Sequence, residues 1–144
     1  MTTLALANRT AGGLVNTTPS VNPPALDVVA RDFFLNSAAT TNMTLVQVGP
    51  RAVGSLYASN TGAAVAYVKL YNKATVPLTT DIPVMIIPLQ PLTAGMPGVA
   101  QIMQSATGFR FPLGLGIAIT GGIADNDATA VAAGQVKVFL THKA

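Results

Sequence analysis

The sequence predicts an all-β protein: a single β-sandwich of about seven or eight strands, jelly-roll or Greek-key like, with an extended N-terminal arm. Three observations carry this. Ala63 to Lys73, AAVAYVKLYNK, alternates with a period of two, placing Val65, Tyr67, Lys69 and Tyr71 on one face and Ala64, Ala66, Val68 and Leu70 on the other. Short β-rich runs follow one another with Gly, Pro, Asn and Thr between them, and no helix–strand alternation calls for a parallel sheet. Residues 1–25 carry Gly12-Gly13, Pro19 and Pro23-Pro24, which loosen the chain and remove donors, so they build no regular element. At 144 residues the prior is one domain. The expected division is an arm over 1–25 and a β-sandwich over 26–144.

The elements run in order from Val28–Leu35, an apolar run split by Arg31-Asp32 and read as a strand, with a short helix as the alternative. Asn36–Asn42 is a loop of turn formers. Met43–Val48 is a strand stopped by Gly49-Pro50, and Arg51–Ser59 is the next, with Gly54 marking a bulge or a close approach. Asn60-Thr61-Gly62 has hairpin chemistry, so Arg51–Lys73 reads as a hairpin. Ala74–Asp81 is loop. Pro83–Gln90 is an apolar strand whose prolines call for an edge position or strand ends. Pro91–Gly98 is loop, and Val99–Ser105 is either a helical turn or a short strand. Phe109–Pro112 alternates and breaks. Leu113–Thr120 places Leu113, Leu115, Ile117 and Ile119 on one face. After a loop at Gly121–Gly134, Gln135–His142 places Val136, Val138 and Leu140 on one face and Lys137, Phe139 and Thr141 on the other.

Composition narrows the function classes. Charged residues make up 9% of the chain, Glu is absent and hydrophobic residues reach 50%, with mean hydropathy +0.50. Ordinary globular chains carry about 25% charge. Such depletion suits a component whose surface is covered by other subunits; the alternative is a surface made polar by Thr, Ser and Asn alone. The net charge is +3, but the eight basic residues are scattered singly, so no nucleic-acid footprint is expected. Cysteine is absent, which excludes disulfide and thiolate chemistry. Met1-Thr2-Thr3-Leu4 does not begin a leader pattern. The uncharged run between Asp81 and Arg110 is too broken by Pro and Gly to span a membrane as a helix, so no membrane partner is expected.

No catalytic constellation is present, and neither a catalytic residue nor a cofactor nor a metal ligand is assigned. His142 is the only histidine and lies next to the C-terminus. Asp125-Asn126-Asp127 is the one acidic cluster; an Asx-rich turn explains it better than a calcium site, which needs six to eight oxygens. A glycosidase pair from Asp125 and Asp127 has no groove-forming repeat beside it. The paired glycines lack the Gly-Lys-Ser/Thr ending of a phosphate loop. Tyr57, Tyr67 and Tyr71 suit cross-strand or subunit packing better than a stacking platform for sugars or bases.

The run Tyr57-Ala58-Ser59-Asn60, then Ala66–Ala74 (AYVKLYNKA) and Ile82-Pro83-Val84, resembles small virion structural proteins of tailed bacteriophages. Phe111-Pro112, Gly116–Gly122, Asp125, Asp127–Val131 and Gly134-Gln135-Val136 continue the likeness, which covers about Arg51 to Lys143. The resemblance implies a non-enzymatic β-sandwich building block. With a single domain and an arm, the expected role is a capsid decoration (cement) protein on the outer surface of the head. Its expected partners are the major capsid protein and copies of itself, a homotrimer being favoured. The alternative is a tail, baseplate or fibre-associated module contacting the host surface.

Overall fold

The computed structural model describes residues 31–103 and 108–144; the expected arm at 1–25 and the first residues of the expected sandwich lie outside this range. Nine strands are present among the described residues: β1 Arg31–Asn36, β2 Thr44–Val48, β3 Arg51–Asn60, β4 Ala66–Asn72, β5 Met85–Leu89, β6 Gly98–Met103, β7 Phe109–Phe111, β8 Gly114–Thr120 and β9 Val136–Lys143. They form two antiparallel sheets, one ordered β1-β9-β3-β6 with the short β7 also paired to β3, the other ordered β2-β8-β4-β5. Apart from β7, each sheet has four strands, and the chain passes repeatedly between them. This is jelly-roll connectivity. The predicted all-β sandwich is the observed fold.

The core lies between the sheets. Val53, Leu56, Ala58, Val136, Val138 and Leu140 face Ala66, Val68, Leu70, Leu115, Ile117 and Ile119, and Phe111, Ile87 and Leu89 complete the cluster. These residues follow the period-two pattern along β9, where Val136, Val138, Leu140 and His142 are buried while Lys137 and Phe139 are exposed. β1 is a strand rather than a helix, and so is the ambiguous Val99–Ser105 segment, as far as Met103. β5 pairs only with β4 and is an edge strand, which accommodates Pro88 opposite Tyr67. Gly54 is a bulge: Thr141 pairs with Ser55 and His142 with Val53, leaving Gly54 unmatched.

The expected hairpin over Arg51–Lys73 does not form. β3 belongs to the five-stranded sheet and β4 to the four-stranded one, so Asn60–Val65 is a corner between layers. The reason is the Asn60 side chain, which is fully buried. Its Nδ2 lies 2.8 Å from the Ala64 carbonyl, 3.1 Å from that of Gln90 and 3.2 Å from that of Leu89. Its Oδ1 accepts from the Gly62 N–H at 2.8 Å and from Gln135 Nε2 at 3.1 Å. One amide thus ties the corner to the end of β5 and the entry to β9.

This role is distinguishable from simple turn chemistry. Asn60→Asp keeps a turn-forming residue but aims a carboxylate at three carbonyls. Buried polar groups left without partners cost about 1–3 kcal/mol each, so a loss of at least about 2 kcal/mol is expected in urea unfolding. Leu113→Ala, at an exposed position, is expected to stay within about 0.5 kcal/mol.

Candidate functional site

The outward faces of the two sheets differ in kind. On the four-stranded sheet, Tyr67, Lys69 and Tyr71 of β4 lie opposite Thr120, Ala118 and Gly116 of β8. Every residue of β8 is buried, so both of its faces are covered. The cover is two connections: 73–84 between β4 and β5, and 121–135 between β8 and β9. Pro77 lies directly on Gly116, where a Cβ would come within 2.6 Å of its Cγ. The face carrying Lys69 and Tyr71 therefore meets covering loops of its own chain. A tyrosine platform from Tyr67 and Tyr71 is absent, because Tyr71 is buried and Tyr67 only partly exposed.

Lys69 is fully buried and donates from Nζ to the Ala124 carbonyl at 2.5 Å. Burial pushes its pKa below 10.5, against the opposing pull of Asp127 and Asp125. Burial pushes the Tyr71 phenol above 10.0, with Asp81 and Asp125 acting in the same direction. Asp127 organises the covering loop. Its carboxylate accepts from the Gly122 N–H at 2.9 Å, the Thr129 N–H at 3.1 Å and the Thr129 hydroxyl at 2.9 Å. Burial alone would raise its pKa; those hydrogen bonds, with Lys69, outweigh burial and hold it below 3.8. Asp127 is thus a loop brace. Among the described residues no group of three or more His, Asp or Glu side chains is placed to hold a metal. His142 is buried on β9, and the carboxylates of the covering loops belong to the other sheet.

The 73–84 connection is fixed from within and apolar without. Lys73 Nζ pairs with Asp81 Oδ2, which also accepts from the Leu78 N–H at 2.7 Å, and the Asp81 N–H returns to the Leu78 carbonyl at 3.0 Å. The Lys73 and Leu78 hydrogen bonds hold the Asp81 carboxyl below 3.8. From this braced loop Val76, Leu78, Ile82 and Val84 project into solvent, Ile82 at 76% exposure.

Among the described residues, no connection covers the central strands of the five-stranded sheet on its outward face. Phe139 of β9 lies opposite Phe34 of β1 on one side and Tyr57 of β3 on the other. The Phe34 and Phe139 rings stand edge to face, with centroids 4.4 Å apart and planes at 87°, and Tyr57 is tilted at 6.4 Å from Phe139. Phe34, Phe139 and Tyr57 remain 50%, 45% and 43% exposed. The next residue row along these strands is Asp32, Thr141 and Ser55; the row on the other flank is Asn36, Lys137 and Ser59. Sequence reading placed Phe139 on the face away from Val136, Val138 and Leu140 but missed the row, because it depends on pairing Phe139 with Phe34, 105 positions away, and with Tyr57, 82 positions away.

Comparison with protein-family models gives no match, and comparison with curated proteins gives none.

Asp127 yields an acid-side test. A carboxyl whose folded pKa lies below its unfolded 3.8 contributes stability that is complete above that pH and is lost as pH falls through the folded value. Asp127→Asn removes that contribution. The variant is expected to melt below the wild type at pH 7, with the gap in Tm closing as pH falls below 3.8, as read by circular dichroism melts from pH 7 to 2.

Proposed function

We propose that the chain is a structural protein of a tailed-bacteriophage virion: a head decoration protein that docks on the major capsid protein as a homo-oligomer, a trimer by preference, and stabilises the shell. The observation that carries this reading is the apolar crest Val76, Leu78, Ile82 and Val84 on a braced loop. Exposed apolar clusters on soluble chains mark interaction surfaces. A loop already held in one conformation loses little further entropy on docking. Docking there removes apolar area from water, and the nearby charges, Lys73 and Asp81, are already paired with each other.

Three further features support the reading: the depletion of charge, the resemblance of Arg51–Lys143 to small virion proteins, and the jelly roll, an architecture found in viral capsid and lectin domains. The last is an analogy of fold alone. The contact that makes the oligomer is assigned to no particular residues. Placement in a tail or fibre is the second reading, favoured by the outward aromatic face.

Expanded heads assembled with and without the protein test the proposal. Heads carrying it are expected to survive heating and osmotic shock that rupture bare heads. Ile82→Asp, which sets a charge at the most exposed position of the crest, is expected to weaken binding to heads at least about tenfold while leaving Tm within a few degrees. Equal resilience of bare and decorated heads would overturn the reading. Hundreds of copies per virion are expected, whereas a few dozen would favour the tail.

A further inference from the structure

We infer that the outward aromatic face of the five-stranded sheet is a binding site for neutral oligosaccharides. The inference uses residues on the face opposite the apolar crest and holds whether or not the crest docks on a shell.

A groove of about 500 Å³ lies on this face, lined by Asp32, Phe34, Ser55, Tyr57, Phe139 and Thr141 among others. Its volume falls within the range of small-ligand sites. The strand register divides it into parallel rows. The aromatic row Phe34–Phe139–Tyr57 runs across three strands, so it is about 10 Å wide at the usual strand spacing. One row away along the strands, about 7 Å at two residues per row, lie the carboxylate of Asp32 and the hydroxyls of Thr141 and Ser55. On the other flank lie Asn36, Lys137 and Ser59. Apolar ring surface is thus bordered on both sides by hydrogen-bonding groups.

A pyranose has the complementary form. Its C–H face is apolar and its equatorial hydroxyls radiate at the edge. With that face on an aromatic ring, its hydroxyls reach the polar rows. Because Phe34 and Phe139 stand perpendicular, the row is a stepped trough rather than a flat plate, which suits a puckered ring better than a flat base. Ser55 Oγ and Thr141 Oγ1 lie 3.0 Å apart, so one hydrogen bond between them uses one of their two protons. The other proton and the remaining lone pairs are available to sugar hydroxyls. Asp32, acceptor-only when ionised, can take two hydroxyl donors.

Charge selects within the saccharide class. Asp32 and Lys137 flank the aromatic row on opposite sides with opposite signs. A polyanion that gained Lys137 would face Asp32, so acidic glycans and nucleic-acid backbones are disfavoured, and a neutral chain meets no such conflict.

Isothermal titration of the full chain with cellotetraose, maltotetraose and chitotetraose, together with saturation-transfer NMR, tests the site. At least one of the three is expected to bind saturably in the millimolar range or tighter. Tyrosine fluorescence adds a second readout, since the chain has no tryptophan and Tyr57 is one of its three tyrosines. Phe139→Thr removes the central ring but keeps a β-favouring residue; with an unchanged circular dichroism spectrum it is expected to abolish measurable binding. Asp32→Ala is expected to weaken binding about tenfold, the effect of losing a charge-assisted hydrogen bond, and Leu113→Ala to leave it unchanged. No binding of any of the three tetrasaccharides overturns the inference, as does binding that survives both Phe139→Thr and Asp32→Ala. Conversion of an oligomer to monomers by Phe139→Thr, seen by sedimentation in a protein that binds no saccharide, would assign the face to contacts between copies and overturn it equally.

Discussion

The contact of Pro77 with Gly116 sets the character of the whole molecule. A strand in a sandwich needs one buried face, yet β8 is buried on both, and its outward positions are small: Gly114, Gly116 and Ala118, with Thr120 at the end. Without side chains to hold it off, the 73–84 connection lies on the sheet backbone, close enough that a Cβ at Gly116 would collide with Pro77. The covering loops make a third layer on that side. Lys69 and Tyr71, which alternation alone would send into solvent, are buried beneath it, and the ionisation of both is shifted by the same loss of water. The opposite sheet carries Phe34, Phe139 and Tyr57 outward, rings too large to let a loop lie on the backbone, and among the described residues no connection lies over them. The difference between the two faces begins with side-chain size at a few outward positions.

Much of this was legible from residue order and much was not, for one physical reason. Alternation reports which residues share a face of a strand, and it identified the core positions of β9 and the Leu115, Ile117, Ile119 face of β8. It does not report which sheet a strand joins. Asn60-Thr61-Gly62 has the composition of a hairpin turn, and only the buried partners of the Asn60 amide, on β5 and beside β9, reveal a corner between layers. The same limit applies to the surfaces. Tyr67 and Tyr71 share a strand and drew notice as a pair, whereas Phe34, Tyr57 and Phe139 meet only through the register of three strands. Of the crest residues, Val76 and Leu78 were legible as loop while Val84 read as strand, and their projection follows from Pro77 and Asp81 holding the loop from below.

The scarcity of charge acquires a structural meaning once the few charges are located. Lys69 is enclosed, and Lys73 and Asp81 neutralise one another, so three of the chain's thirteen charged residues present little field to solvent. Asp127 is turned into its own loop by three hydrogen bonds. Among the described residues, exposed apolar side chains such as Ile82, Met96 and Ile123 share the surface with the charges that remain. Such a surface contributes little long-range steering, so encounters with partners depend on short-range fit and apolar burial rather than on attraction at a distance. That mode of binding tolerates high salt, because little of it is Coulombic and little is therefore screened. It also calls for surfaces that are shaped before the partner arrives. The braced loop, with its acid holding the turn from inside, and the stepped aromatic row, fixed by the register of three strands, both meet that requirement, on opposite sides of one sandwich.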